Sequence, residues 1–593
     1  MTIIFRSPIT TGVTLTSSYA NPIVTATTLT NDANTGAGAA LYAGGSTSWN
    51  VSNFGVIGDA VTNFGILLKG DEGGDRVTNG APGVTGASIT GASEGVYLPS
   101  GTVTNFGTIS GGAFGVHVYR DGVVRNGPAG STSALIAGYK AVSLDGGGTV
   151  NNFGTISGGG GDGIYIIGGG GDVTNGSAQS TTALISDGYR GIFGSGGAIA
   201  NFGTIRATGG KSDGIYLFLG SVTNGSARST AALISGVNDG IASYGASVTN
   251  FGTILGTGST GEGVDIANGI IANGVGTAQQ ALISGGFIGV EVTTGATINN
   301  FGTIEGTFAS ILLDKGGTIT NGGSSDHAAT IGGGLVGVYA FAATTVTNFG
   351  TIAGEDLAVS LGVGNDRLIV EPGAVFKGAV SGGGGADTVT LAGEGTQHIG
   401  NFSGFETFTL SGLGSNKLVL GNGNFAGITG DAITVTGGSA ADTIDASHVT
   451  GGNLAVLKGG GGNDVLIAGR KTRMTGRSGA NVFVFTAIGS SRITDFAISK
   501  GNTIELRDAD FNLGIDDGHG KTAPQHLDAA VFVADKTGAF TTTGQRFAYA
   551  TGTGVLSYDP DGNGTHFAAS RVATLTGDPT LSAGPTGDIF FVA

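Results

Sequence analysis

Cysteine is absent from the 593 residues, which excludes a disulfide framework and any thiolate metal site. Proline is scarce, at 10 residues, and charged side chains make up only 11%, against ~25% in an ordinary soluble domain. Low charge combined with 39% hydrophobic content argues against disorder, which needs weak hydrophobicity and strong net charge. No run approaches about 18 consecutive apolar residues, so no membrane span is expected. Basic residues are few, 26 Lys and Arg against 42 Asp and Glu for a net charge of −16. That balance excludes a phosphate-backbone partner, so no nucleic acid is expected, and it suits cations instead. The opening MTIIFRSPITTGVTLTSSYA lacks the apolar core of a cleavable signal peptide, so any export address is expected elsewhere.

Glycine, by contrast, is abundant at 120 residues. It follows no three-residue period, which excludes collagen, and the Gly, Thr, Ser and Asn that accompany it exclude a helical protein. A longer period explains it. NFGTI recurs at Asn105, Asn152, Asn201, Asn250, Asn300 and Asn348, in steps of 47 to 50 residues. An Asn-Gly pair falls between the copies at Asn79, Asn126, Asn175, Asn224, Asn273 and Asn321, and an earlier NFG stands at Asn53. Interleaved, the two series cut the chain into units of about 21–27 residues, the period range of a solenoid.

Within a unit, short alternating segments such as Gly115-Val116-His117-Val118 and Ala183-Leu184-Ile185 read as strands bounded by Gly and Asn. Two or three such strands per unit predict one coil of a parallel β-helix, whose backbone groups bond the coils above and below. A lone coil cannot bury its Val, Ile and Leu, so stacking must close the core. The Asn residues are expected to form a ladder at one corner. The recurring Phe106, Phe153, Phe202, Phe251, Phe301 and Phe349 are expected to fill the core there, a surface stripe being the other reading.

Catalytic groups are sparse in the repeats. A polysaccharide-cutting β-helix needs Asp with Arg or Lys gathered on adjacent coils. The recurring Asp162, Asp213 and Glu262 fall on alternate coils and read as turn residues that accept backbone N–H groups. The seven His show no zinc spacing, and Gly209-Gly210-Lys211-Ser212 lacks the first glycine of a phosphate loop. No enzymatic activity is expected.

After about residue 355 a different motif begins. Gly459 to Ile467 (GGGGNDVLI) and Gly382 to Thr390 (GGGGADTVT) fit G-G-x-G-x-D-x-U-x, with weaker copies at Asp442 (GGSAADTID), Asp366 (LGVGNDRLI) and Asn481 (GRSGANVFV). Glycines let a turn expose its carbonyls, and Asp supplies the anionic oxygen that calcium prefers. Asp559-Pro560-Asp561-Gly562-Asn563-Gly564 lacks an EF-hand glutamate, since Ser570 stands there, and reads as a hairpin turn.

These motifs resemble the RTX family of secreted calcium-binding proteins over roughly residues 360–593. The run from GGGGNDVLIAG through ITDF and NTIEL looks like the β-roll end of serralysin-type proteins. The tail ending Asp588-Ile589-Phe590-Phe591-Val592 is similar to the uncleaved signals of type I secretion substrates. The NFGTI array is more loosely similar to repeats of bacterial surface β-helix proteins. The resemblance implies Ca²⁺ as the cofactor, with Asp464, Asp387, Asp442 and Asp366 at the ligand Asp position and Gly460, Gly462, Gly383 and Gly385 at carbonyl-donating positions. It implies about one or two sites, because the good copies stand alone, Asn481 lacks the charge, and AGRKTRMT at 468–475 carries three basic side chains where another turn would be.

The expected fold class is therefore all-β: a parallel β-helix solenoid, an RTX-like β-roll and a small C-terminal β secretion module. The expected boundaries are 1–50 for an N-terminal cap with irregular coils, 51–358 for the β-helix, 359–510 for the roll and 511–593 for the module. The expected function is that of a secreted calcium-binding structural or adhesive protein at the bacterial surface or beyond it. Its expected partners are calcium, the type I secretion apparatus, cell-surface or matrix glycans and copies of itself. A surface-layer or filament subunit and an RTX-tailed polysaccharide lyase or epimerase are the alternatives.

Overall fold

The computed structural model describes residues 3–21, 23–70, 74–276, 280–507, 511, 524–577 and 579–592; residues 512–523 of the expected C-terminal module lie outside them. The chain is nearly all-β, 54% strand and 2% helical, and forms a parallel β-solenoid. It divides into two units, 1–339 with 350–355, and 340–349 with 356–593.

In the first unit a coil carries three strands, two of which run together in Asp213–Asn224, Asp239–Asn250, Glu262–Asn273 and Ile288–Asn300. Gly101–Asn105, Thr108–Gly111 and Phe114–Val118 make one coil, and each pairs in parallel with its counterpart in the next, Gly122–Asn126, Leu135–Gly138 and Lys140–Leu144. Strand alternation sends Val103, Ile109, Val116 and Val118 inward, where they are fully buried beside Val124, Ile136, Val142 and Leu144 of the next coil. The stack begins before the first NFG. Ile23–Thr25 pairs with Ile3–Phe5 on one side and Asn50–Asn53 on the other.

The asparagine ladder expected from the spacing is present. From Asn53 to Asn300 each Nδ2 donates to Oδ1 of the corresponding Asn one coil on, at 2.8–2.9 Å. The amide donates to carbonyls as well: Asn201 Nδ2 reaches Gly203 O at 3.1 Å and Leu233 O at 3.0 Å. These side chains have no solvent exposure, so the ladder satisfies buried polar groups where the chain turns and strand pairing lapses. Thr25 fills the same place one coil earlier, its Oγ1 donating to Asn53 Oδ1 at 2.7 Å.

Glycine after the ladder residue has two distinct uses. In the Asn-Gly coils it takes the left-handed conformation, φ 81° at Gly225, and opens a loop closed by bridges such as Ser226 to Ser229. In the NFG coils Gly107 has no room for a Cβ, because the Ala87 carbonyl of the preceding coil lies against it. The Phe rings depart from expectation. Phe106, Phe153, Phe202, Phe251, Phe301 and Phe349 are half-buried, not core, because Asn occupies the interior of that corner and the next residue points outward. Phe106 Cβ lies beside Gly80 and the Phe301 ring beside Gly323, glycines of Asn-Gly coils.

In the second unit the later coils carry two strands. Ala432–Thr436, Leu454–Gly460, Thr472–Arg477 and Ser491–Ile493 stack as one sheet. Asn416–Gly421, Thr443–His448, Val465–Ala468, Val482–Phe485 and Thr503–Arg507 stack as the other. The basic 468–475 segment supplies an ordinary strand here. Residues 559–569 link two antiparallel strands, Val555–Tyr558 and Ser570–Leu575, as a hairpin. The last strand, Ile589–Val592, pairs in parallel with Thr503–Arg507 and buries Ile589 and Phe591.

Candidate functional site

The motif aspartates of the second unit each stand one residue before a strand, and they form two further ladders. In one, Asp366 Oδ1 accepts the Thr344 N–H at 2.6 Å, Asp387 Oδ1 accepts the Asp366 N–H at 2.8 Å, and Glu406 Oε2 accepts the Asp387 N–H at 2.7 Å. In the other, Asp442 Oδ1 accepts from Asn416 N at 2.8 Å, Asp464 from Asp442 N, Asn481 from Asp464 N and Asn502 from Asn481 N, the last three each at 2.9 Å. Asn481, the uncharged copy, is a rung of the same row.

One oxygen per carboxylate is thus spent on the preceding coil. The other decides which residues fit a cation. Oδ2 of Asp366, Asp387 and Asp464 is buried without a hydrogen-bond partner, and these side chains are at most 1% exposed. Asp442 differs, because its Oδ2 accepts the Gly438 N–H at 2.7 Å. Space at the free oxygens comes from glycine: a Cβ on Gly459 would meet Asp464 Oδ2, and one on Gly382 would meet Asp387 Oδ2 at 3.0 Å. Gly383, Gly385, Gly460 and Gly462 have φ of 90°, 154°, 102° and 95°. Those backbones bring the turn against carbonyls of the preceding coil, Leu361, Gly362 and Gly364 in one turn and Gly437, Gly438 and Ala440 in the other.

Burial pushes Asp366, Asp387 and Asp464 up to about 6, against the pull of the backbone N–H each accepts; a neighbouring Asp adds to the rise at Asp387 and Asp464. A buried carboxylate with an idle oxygen, among glycine carbonyls, fits a hard cation that prefers oxygen. The idle oxygen is shared by Asp366, Asp387 and Asp464, glycine makes space beside it at Asp387 and Asp464, and Asp442 is saturated. Among the described residues no three acidic or histidine side chains group as ligands of one ion, so backbone carbonyls would complete any such site.

A second cluster lies on one sheet of the first unit, and it corrects the reading of the coils as poor in gathered charge. Lys140, Asp162, Arg190, Asp213, Asp239 and Glu262 open successive strands, and register sets Asp162 against Arg190, Arg190 against Asp213 and Asp239 against Glu262. Asp162 and Asp213 therefore open strands and face cations, and Asp213 also accepts the Asp239 N–H. Asp162 lies 3.7 Å from Lys140 Nζ and 3.9 Å from Arg190, and Asp213 lies 3.8 Å from Arg190. Beside this row runs another: Tyr97, His117, Ser143, Tyr165, Phe193, Tyr216, Ala242, Asp265 and Glu291.

Tyr165 stacks on Phe193 at 5.0 Å and Phe193 on Tyr216 at 5.6 Å. Lys140 Nζ lies 3.2 Å above the Tyr165 ring, and the Arg190 guanidinium 4.9 Å from both Phe193 and Tyr216. Further along the row, His117 is held between Glu94 at 3.3 Å and Asp145 at 3.1 Å. Comparing alternate coils alone missed Lys140 and Arg190, which sit on the intervening Asn-Gly coils.

No protein-family model matches the chain, and no curated protein matches it. The structure itself shows the β-solenoid and its repeats. Among the described residues, no helix is long and apolar enough to cross a membrane.

Proposed function

We propose that this chain is a secreted, calcium-dependent structural or adhesive β-solenoid of the extracellular space or bacterial cell surface, and not an enzyme. The observation that carries the reading is the unpartnered, buried Oδ2 on Asp366, Asp387 and Asp464. Calcium would give those oxygens the charge partner that burial denies them. It would be held by these carboxylates with carbonyls at the Gly383–Gly385 and Gly460–Gly462 turns. Extracellular modules bind calcium at about 10⁻⁴–10⁻³ M, so the second unit would stay loose in a low-calcium cytosol and set outside.

Export by a type I apparatus belongs to the proposal through the resemblance of the tail to such signals. Ile589–Val592 is a paired strand with Ile589 fully buried, so a transporter could read it only in a chain that had not yet folded. Glycans, or further copies of the chain, are the partners that an adhesive role requires.

Calorimetry of the full chain with calcium, and then with excess chelator, tests the proposal. Calcium at 100 times its Kd should stabilise by about 2.7 kcal/mol per site. The added stability should appear in the second unit alone. Identical melts in the two conditions would overturn it. One observation favours a second reading, a glycan lyase or epimerase: the Lys140, Asp162, Arg190 and Asp213 array. Release of products from acidic polysaccharides would establish it.

A further inference from the structure

The outer face of the first unit repeats one recognition unit with its own side chains. A cation lies on an aromatic ring and beside a carboxylate: Lys140 on Tyr165 next to Asp162, then Arg190 on Phe193 and Tyr216 next to Asp162 and Asp213. Further along the rows the cations stop, while rings and acids continue. The leading positions become Asp239 and Glu262, and the ring row is broken by Ala242, which follows Tyr216 and precedes Asp265 and Glu291.

The small Ala242 leaves a notch of about 220 Å³, lined by Tyr216, Ser243, Tyr244, Asp265 and Thr293. Tyr216 stacks on Phe193 on one side and has only this alanine as its register neighbour on the other. Tyr244, 56% exposed, stacks on Phe218 at 5.5 Å and forms another aromatic wall.

The acids here lack the countercharge that Asp162 and Asp213 have. Burial, with Asp213 and Asp265 nearby, pushes Asp239 up to about 7; burial, with Glu291 and Asp213, pushes Asp265 up to about 6. Glu262 is pushed up by burial and by the carboxyl of Glu291, and its Oε2 is buried without a hydrogen-bond partner. Among the described residues no three of these acids group as ligands of one metal ion.

We propose that the notch at Ala242 binds an organic cation, a protonated amine or guanidinium, seated between the Tyr216 and Tyr244 rings and the Asp265 carboxylate as Arg190 is seated two coils earlier. Cation–π attraction and a desolvated carboxylate act together in such a site. The ligand lies against the face of Tyr216 that the alanine leaves uncovered.

Isothermal titration of the full-length protein tests this at matched ionic strength. Agmatine stands for a basic side chain, glucosamine for an amino sugar, and N-acetylglucosamine is the uncharged control. Agmatine, glucosamine or both should bind and the neutral sugar should not, and whichever cation binds names the source. Ala242→Phe continues the ring stack and fills the notch, and should abolish binding while the protein melts normally. Asp265→Asn should weaken binding roughly tenfold, the scale of one charged contact, and it decides the matter if the Phe variant misfolds. Equal binding of the neutral sugar, binding that survives both substitutions, or calcium uptake at the notch with no amine binding would overturn the proposal.

Discussion

Replacing Asn201 with alanine should open the solenoid locally at the coils on either side. The Asn201 amide donates to Asn224 Oδ1 at 2.8 Å and to Leu233 O at 3.0 Å, and its carbonyl receives Asn175 Nδ2 at 2.8 Å. Alanine removes all three, and with them the bond from Asn201 Nδ2 to Gly203 O. Asn175 keeps a bond to Thr204 O at 3.0 Å, so its loss is partial, whereas the Asn224 and Leu233 oxygens each lose a donor in a place without solvent. A stripped buried polar group costs about 1–3 kcal/mol, and the vacated volume adds to it, for roughly 3–5 kcal/mol in all. Stacked coils open locally and not all at once, so the assay is hydrogen exchange on the full chain. Amides in strands next to Asn201 should exchange about two to four orders of magnitude faster, with coils far along the stack unchanged. Asn201→Asp should be worse than alanine despite its shape, because it sets a carboxylate against Asn224 Oδ1 and the Leu233 carbonyl. An exchange increase under about tenfold for alanine, or wild-type behaviour for the aspartate, would refute the ladder as a source of stability.

Three more outcomes follow from the same geometry. Asp464→Asn keeps an oxygen for the Asp442 N–H but loses the anionic charge, so it should erase the calcium response at that turn with little change in the calcium-free melt, whereas Asp464→Ala should lower both; calorimetry of the two variants separates charge from ladder. The raised values of Asp366, Asp387 and Asp464 mean that the calcium-free second unit holds their contribution in full below pH 3.8 and loses it as pH rises through about 6. Melting without calcium should therefore fall between about pH 4 and 6.5, and saturating calcium should offset that fall; a calcium-free melting point that rises over the interval counts against it. At His117 burial alone would lower the imidazole, but hydrogen bonds to Glu94 and Asp145 outweigh it and the net shift is upward. Its stabilisation should be complete below pH 6.5 and fade as pH rises through the folded value, a dependence that His117→Gln should flatten in a pH series of thermal melts.

The regular parts of the fold were legible because the asparagine is constrained by its own coil and by both neighbours, and so recurs at fixed spacing in Asn79 and Asn105 alike. Thr25 hid the earlier coils, since a hydroxyl donor serves the same Oδ1 without matching the motif. The Phe rings were misplaced because an aromatic at structural spacing usually packs inward, and nothing in the letters reveals that Asn already fills that corner. The charged face was obscured for a different reason. Loops of unequal length put Lys140 and Arg190 at shifting distances from Asp162 and Asp213, and only the strand register brings them together. At the glycine turns the Asp positions were readable. Which of them kept an idle oxygen was not, because that depends on whether a backbone donor such as Gly438 N–H reaches it, as it does at Asp442 alone among the four.

The amides from Asn53 to Asn300 all hand their protons the same way along the row. Any two cut ends made at equivalent corners therefore match in polarity, and excising an NFG coil together with its Asn-Gly partner should let the strand above settle on the strand below as if they had always been neighbours. Length is in that sense adjustable in paired steps at the ladder corner, while the row of Lys140, Asp162, Arg190 and Asp213 limits which steps keep every charge matched.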